Sequence, residues 1–357
     1  MNTTGADVAK STGGAPPVDW DLAVSTARRL VRPGPVVTRD VADHTVRRLR
    51  DVTAEAESHV RQVTGLGAGL PLLPGDVVDR VHWVEAAVDS IAALTADALP
   101  VRPNRVVGGV LAGTAGVQAG MVLAYLSSRV LGQYDPFGGG EAGRLLLVAP
   151  NIVAAHQALD VPPEDFRMWV CLHECTHRLQ FTAVPWLRSY FQQQVAAFLG
   201  GLDDSANGAV ARLPDLLRSA RSKPDPTASG GPLGLMEALQ TPEQRAVFDR
   251  LISISTLLEG HADHVMDAVG PVVVPTVATI RERFTVRRRG GGLLDRVLRN
   301  LLGVDAKMKQ YAVGAKFTAH VVDEVGMERF NAIWTSPETL PLRSELSDPA
   351  AWIRRVA

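Results

Sequence analysis

Residues 173–177 read His-Glu-Cys-Thr-His, and this run narrows the choice of fold more than any other stretch of the chain. If the segment is helical, the two histidines sit one above the other on one face, about 6 Å apart along the axis. A helix start is signalled just upstream by Pro162-Pro163-Glu164-Asp165, with proline and acids in the first turn. Val170, Cys171, Leu172, Cys175 and Thr176 around the histidines are uncharged, so the helix is expected to be buried. Two imidazoles and a carboxylate on a buried helix need partners to offset their desolvation. Four-residue spacing lets both rings reach one Zn²⁺ at roughly 2.0–2.1 Å, with the glutamate beside the first ring within reach of a water on the metal. The competing reading is a core helix whose histidines are only hydrogen-bonded. On the first reading the fold must supply a buried helix, an open front to it, and a third ligand from elsewhere.

A metzincin would continue the motif with glycine three residues on and histidine six residues on. The chain has Gln180 and Ala183 there, so that class is excluded. The remaining histidines are His44, His59, His82, His156, His261, His264 and His320. Only the stretch Leu257-Leu258-Glu259-Gly260-His261-Ala262-Asp263-His264 crowds acids and histidines together. It falls in a predicted helix that opens with Thr241-Pro242-Glu243-Gln244, a capping box with proline at the first helical position. Val247, Leu251, Ile254 and Leu258 keep the helical period, and Gly270 is the expected stop. On such a helix Glu259 and Asp263 lie about 40° apart, whereas His261 is about 200° from Glu259. Glu259 and His261 therefore cannot easily share one metal on a regular helix. Glu259 is preferred as third ligand, with Asp263 one turn on to accept the free ring N–H of a ligand histidine. The alternative is a nitrogen from His261, with or without His264. Gly260 and Ala262 beside these residues suggest close packing.

HExxH followed by ExxxD resembles the gluzincin branch of zincin metallopeptidases. The chain is similar, more specifically, to a mainly actinobacterial zincin-like family labelled as zinc-dependent metalloproteases and sometimes associated with deazaflavin-coenzyme biosynthesis. The resembling stretches are Ser127 to Asp135, Phe166 to Phe181, Leu257 to Asp267, Lys309-Gln310-Tyr311, and Phe330-Asn331-Ala332-Ile333-Trp334 through Trp352. The resemblance implies a mainly α, zincin-like fold with a short β element beside the motif helix. It also implies zinc on His173, His177 and Glu259, with Glu174 as base. The gap of 82 residues from His177 to Glu259 is longer than in familiar gluzincins.

Charge excludes some functions. With 37 basic against 38 acidic residues, nothing suggests a nucleic-acid binder, and the basic run Arg281 to Arg289 reads as a solvated linker. The two cysteines, Cys171 and Cys175, lie four apart on the motif helix, where a disulfide is disfavoured, and read as core filler. Few cysteines and a start lacking signal-peptide character fit a cytoplasmic protein. Val106 to Ser128 carries no charge and holds Gly109-x-x-x-Gly113 and Gly116-x-x-x-Gly120. A packed helix inside a soluble protein is preferred there over a membrane span.

The breaks divide the chain into a disordered tail (1–17), a helical region (18–140), a zincin-like core (141–270) and a C-terminal helical region packed on it (271–357). Asp76 to Leu99 reads as one amphipathic helix, Arg144 to Ala149 as a buried strand, and residues 202–232 as a mobile loop. Leu145 to Ala149 could pair with an extended peptide at an open edge. The expected function is a zinc metallohydrolase acting on a peptide or small amide. Tyr311, His261 and His264 are candidates to steady the oxyanion. A zincin-fold binding or assembly protein is the alternative.

Overall fold

The computed structural model describes residues 17–96, 105–201, 241–289 and 304–357. The predicted loop 202–232 and all of the predicted tail except Pro17 lie outside them. The fold is mainly α, with one small sheet. Helices α1 (Trp20–Leu30) and α2 (Arg39–Thr64) lead into strand β1 (Asp76–Val78) and helices α3 (Arg80–Thr95) and α4 (Arg105–Ser127). Strands β2 (Gly132–Asp135) and β3 (Arg144–Val148) precede α5 (Ala149–Leu159) and the motif helix α6 (Pro163–Thr182). A further helix, α7, covers 187–201. The remainder is α8 (Pro242–Val273), α9 (Val277–Arg289), α10 (Val304–Phe330, broken at Gly326), two short 3₁₀ turns and α11 (Pro349–Val356).

The sheet order is β1-β3-β2, with β1 parallel and β2 antiparallel to β3. This corrects the expectation for Leu145 to Ala149. That strand is central and paired on both sides, so it has no edge to offer; the edge strand beside it is β2. The helix expected from Asp76 also starts later. Asp76–Val78 pair with Leu146–Val148, and Asp79 then caps α3 by accepting from the backbone N–H of Val81 and His82 at 2.9 and 2.8 Å.

Local signals set the ends of α8. Thr241 accepts from the Gln244 N–H at 3.2 Å while the Gln244 side chain accepts from the Thr241 N–H at 2.8 Å, the reciprocal capping box. At the other end the helix does not stop at Gly270. It runs on to Val273, two residues past Pro271. The basic run is no linker either: Arg281 reaches Asp267 Oδ1 and the Asp263 carbonyl, each at 2.8 Å, and Arg283 reaches the Leu159 carbonyl at 2.8 Å, as parts of α9.

A core centred on α6 gathers Leu49, Val52, Ala56 and Val60 of α2, Leu145 and Leu147 of β3, and Val265, Met266 and Val269 of α8. With Val274 and Ile280 it draws on residues from all three of the predicted regions beyond the tail. A second core joins Leu257 and Leu258 to Phe317, Phe330, Trp334 and Trp352 of the C-terminal part. The motif helix is bound to α2 by more than apolar contact. Arg178, almost fully buried, pairs with the buried Glu57 carboxylate and donates to the Leu73 carbonyl at 2.8 Å. Cys175 donates to the Thr53 carbonyl at 3.5 Å, and both cysteines are buried and free, as expected of filler. Burial pushes the Cys171 thiol up to about 12.

Helix α4 differs from its expectation. Only 28% of its apolar window Gly108–Ser127 is buried among the described residues, and it is long and apolar enough to cross a membrane. Gly116 and Gly120 let it press on α1: a Cβ there would lie 2.3 Å from the Asp19 carbonyl oxygen and 2.5 Å from that of Ala23. On its other side Val110, Leu111 and Met121 are exposed. Small residues bring one face into contact, but no element among the described residues fully covers the opposite face.

Candidate metal centre

Helix α6 presents two faces. Cys171, Cys175 and Arg178 turn inward, and this orientation leaves His173 and His177 on the opposite, partly open side. The rings stand 4.6 Å apart edge to face, with Nε2 to Nε2 at 3.2 Å. Glu259 arrives from α8, its Oε2 at 3.5 Å from His173 Nε2 and 3.6 Å from His177 Nε2. All three side chains keep some contact with solvent, between 15 and 23% of their surface. His173, His177 and Glu259 thus form a group able to hold a metal ion. The triangle matches one metal. Three ligand atoms at roughly 2.0–2.1 Å in tetrahedral array would lie about 3.3–3.4 Å apart, and an open side leaves a fourth position accessible.

The approach of Glu259 follows from glycine. A Cβ on the next residue, Gly260, would fall 2.0 Å from the backbone carbon of Gly314, so α8 and α10 meet backbone to backbone beside the carboxylate. The close packing expected at Gly260 is therefore with α10.

Glu174 lies one residue past His173 and is buried. It packs against β2: a Cβ on Gly132 would sit 2.6 Å from Glu174 Cγ and 2.9 Å from its Oε1. Two residues along the same strand, Tyr134 meets Phe181 at 5.9 Å between ring centroids. The edge strand therefore runs along the motif helix past Glu174.

Burial by itself would push His177 down, but the carboxylate of Glu259 at 3.6 Å, with the charge of Glu174, overrides it and raises its pKa to about 9.

Of the remaining predicted residues, His261, His264 and Asp263 are described in full and Tyr311 in its backbone alone. His261 points away from the group, fully buried, with its ring stacked on Phe330 at 5.4 Å and edge to face with Trp334 at 5.4 Å. Burial pushes it down to about 3, so it is neutral. His264 is half-buried and also lowered by burial. Asp263 is met by Arg281, at 3.7 Å from Oδ1. Tyr311 belongs to α10, and its side chain lies outside the described residues. For His177 the ring partner is instead Gln180, whose Oε1 is 2.9 Å from Nδ1. Gln180 and Gly132 are the two residues that sequence reasoning gave no role; the only sequence trace of the first was its three-residue spacing from His177.

A mainly α protein with an HExxH helix, an incoming glutamate and an edge strand beside the motif is of the zincin class. The Zincin-like metallopeptidase family matches residues 18–353, and the chain belongs to that family. It is also similar to a solved structure described as a candidate hydrolase with a novel fold, from Chloroflexus aurantiacus. The identity is 31% and the TM-score 0.65, over 95% of this chain and 98% of that one. No curated protein matches.

Proposed function

We propose that the protein is a zinc-dependent peptidase or amidase, with His173, His177 and Glu259 as metal ligands and Glu174 as general base. The observation that carries this is the triangle of 3.2, 3.5 and 3.6 Å between the three ligand atoms, drawn from two helices and open on one side. A zinc ion held there supplies a Lewis acid and lowers the pKa of a water to about 7. Glu174 takes the proton from the attacking water and returns it to the leaving amine. Its burial against Gly132 restricts its rotamers and keeps it beside His173.

The substrate reading is an extended peptide or small amide laid along β2. The edge position of this strand, one layer from Glu174, favours pairing with a substrate backbone. Tyr311 is proposed to steady the oxyanion. It lies three residues before Gly314, where α10 touches α8 next to Glu259. Asp263 is proposed to orient the ligand set from one turn beyond Glu259.

The test is Glu174→Gln, assayed on a peptide mixture with zinc content measured in parallel. Hydrolysis should fall by about 10²–10⁴-fold with zinc retained. Undiminished hydrolysis removes Glu174 as base.

A further inference from the structure

Gln180 follows His177 by three residues on α6 and is fully buried. Its Nε2 lies 3.0 Å from the Leu258 carbonyl oxygen and 3.0 Å from His261 Nδ1, while its Oε1 lies 2.9 Å from His177 Nδ1. The direction of each bond follows from chemistry. A carbonyl oxygen only accepts, so the amide nitrogen must face Leu258; the reverse orientation would oppose two oxygens at 3.0 Å. The amide oxygen is left facing His177 and can only accept. Nδ1 of His177 must therefore carry a hydrogen. In the neutral ring the lone pair then falls on Nε2, the atom 3.2 Å from His173 Nε2 and 3.6 Å from Glu259 Oε2. The second amide N–H is given to His261 Nδ1, which puts that ring's own hydrogen on Nε2, among Phe330 and Trp334.

Leu258 immediately precedes Glu259, so one side chain spans both helices that bear the proposed ligands. We propose that Gln180 is a positioning residue for the metal centre: it holds His177 with Nδ1 protonated, aims Nε2 into the ligand triangle, and sets the distance between the histidine pair and Glu259. It touches neither metal nor substrate. Ligand histidines are commonly oriented by a carboxylate or a backbone carbonyl; here a side-chain amide takes that place, and its own orientation is enforced by α8.

The inference rests on the zinc reading, and its test separates the two. Zinc affinity is measured by chelator competition in wild type, Gln180→Leu, Gln180→Glu and His261→Phe. The Nδ1–H signal of His177 is followed in histidine-labelled protein by long-range proton–nitrogen spectra, in metal-free and zinc-loaded forms. Gln180→Leu should weaken zinc binding about 10–100-fold and lose the hydrogen-bonded Nδ1–H signal. Gln180→Glu keeps an acceptor opposite His177, and burial beside the Leu258 carbonyl favours the neutral acid, whose O–H takes over the amide's donor role there, so it should keep that signal and restore most of the affinity. His261→Phe should retain tight zinc binding, because Leu258 still orients the amide.

A folded Gln180→Leu protein with wild-type affinity, or with the His177 signal unchanged, overturns the proposal. If Gln180→Leu fails to fold, Gln180→Glu decides alone, and loss of the signal there overturns it equally. Loss of zinc in His261→Phe would show that the Leu258 carbonyl does not by itself orient the amide, and would overturn it too. Wild-type protein that takes up no zinc contradicts the zinc reading itself, while the Nδ1–H comparison on metal-free protein still judges the hold of Gln180 on His177.

Discussion

Helices α6 and α4 are of similar length, yet the one with more polar residues is the better buried. Helix α6 carries Arg167, Glu174, Arg178 and Gln180 among its buried residues. Helix α4 has no charge after Arg105, yet exposes Val110, Leu111 and Met121. The difference lies in how each is held. On α6 several buried polar groups meet a named partner on another element: Arg178 with Glu57 on α2, Gln180 with Leu258 on α8. Such contacts fix rotation and register, because a helix turned by one residue would strand a buried charge. On α4 glycine backbone meets α1, and Leu123 and Ala124 join an apolar cluster with Trp83 and Val84 of α3, while Val110, Leu111 and Met121 stay open. Apolar composition favours burial but does not specify it; partnered polar groups do, and these define how α6 presents His173 and His177 to Glu259.

The sharpest way to break this contrast is at Glu57. Glu57→Ala leaves Arg178 buried without its carboxylate, and denaturant unfolding should show a loss of about 3–5 kcal/mol. A loss below about 1 kcal/mol would mean that the pair does not hold α6. Next comes Gly116→Val on α4. Its Cβ would press into the Asp19 carbonyl region, and unfolding should show a loss of about 1–3 kcal/mol. An unchanged midpoint would show that α1 and α4 are not in backbone contact.

A pH series sharpens the account of the polar side. His261 has its pKa pushed by burial from the ordinary 6.5 down to about 3, so the folded protein holds it neutral while the unfolded chain protonates it. The unfolded state therefore binds more protons as pH falls, and stability is lost from about 6.5 downward toward 3. The slope from this one group approaches about 1.4 kcal/mol per pH unit. In His261→Phe melts between pH 7 and 5 that share of the slope should vanish; a wild-type slope in the variant would mean that the ring is charged in the fold. The smallest effect is expected on the outer face of α4. Val110→Ser should shift stability by no more than about 0.5 kcal/mol, and a larger loss would show that the face is covered.

What could be read from the chain follows the same division. The HExxH helix, the capping box at Thr241 and the face shared by Glu259 and Asp263 are local patterns, written within a few residues, and they carry most of the ligand triangle. Gln180 could not be read for its role, because its partners Leu258 and His261 are 78 and 81 residues away and depend on how α8 lies across α6. The strand expected to offer an edge proved central for the same reason: only the arrival of β1 and β2 decides which strand is outermost. The helix expected from Asp76 starts at Arg80 because three residues are claimed by a pairing with β3. For α4, glycine spacing indicated a close contact but not how many faces would have one.

The central claim is that His173, His177 and Glu259 form one zinc site. It is tested most directly by zinc stoichiometry in purified wild type beside folded Glu259→Ala, both equilibrated with limiting zinc. The account predicts ~1 zinc ion per wild-type chain and little or none in the variant. Equal zinc in the two proteins, or none in wild type, would contradict it.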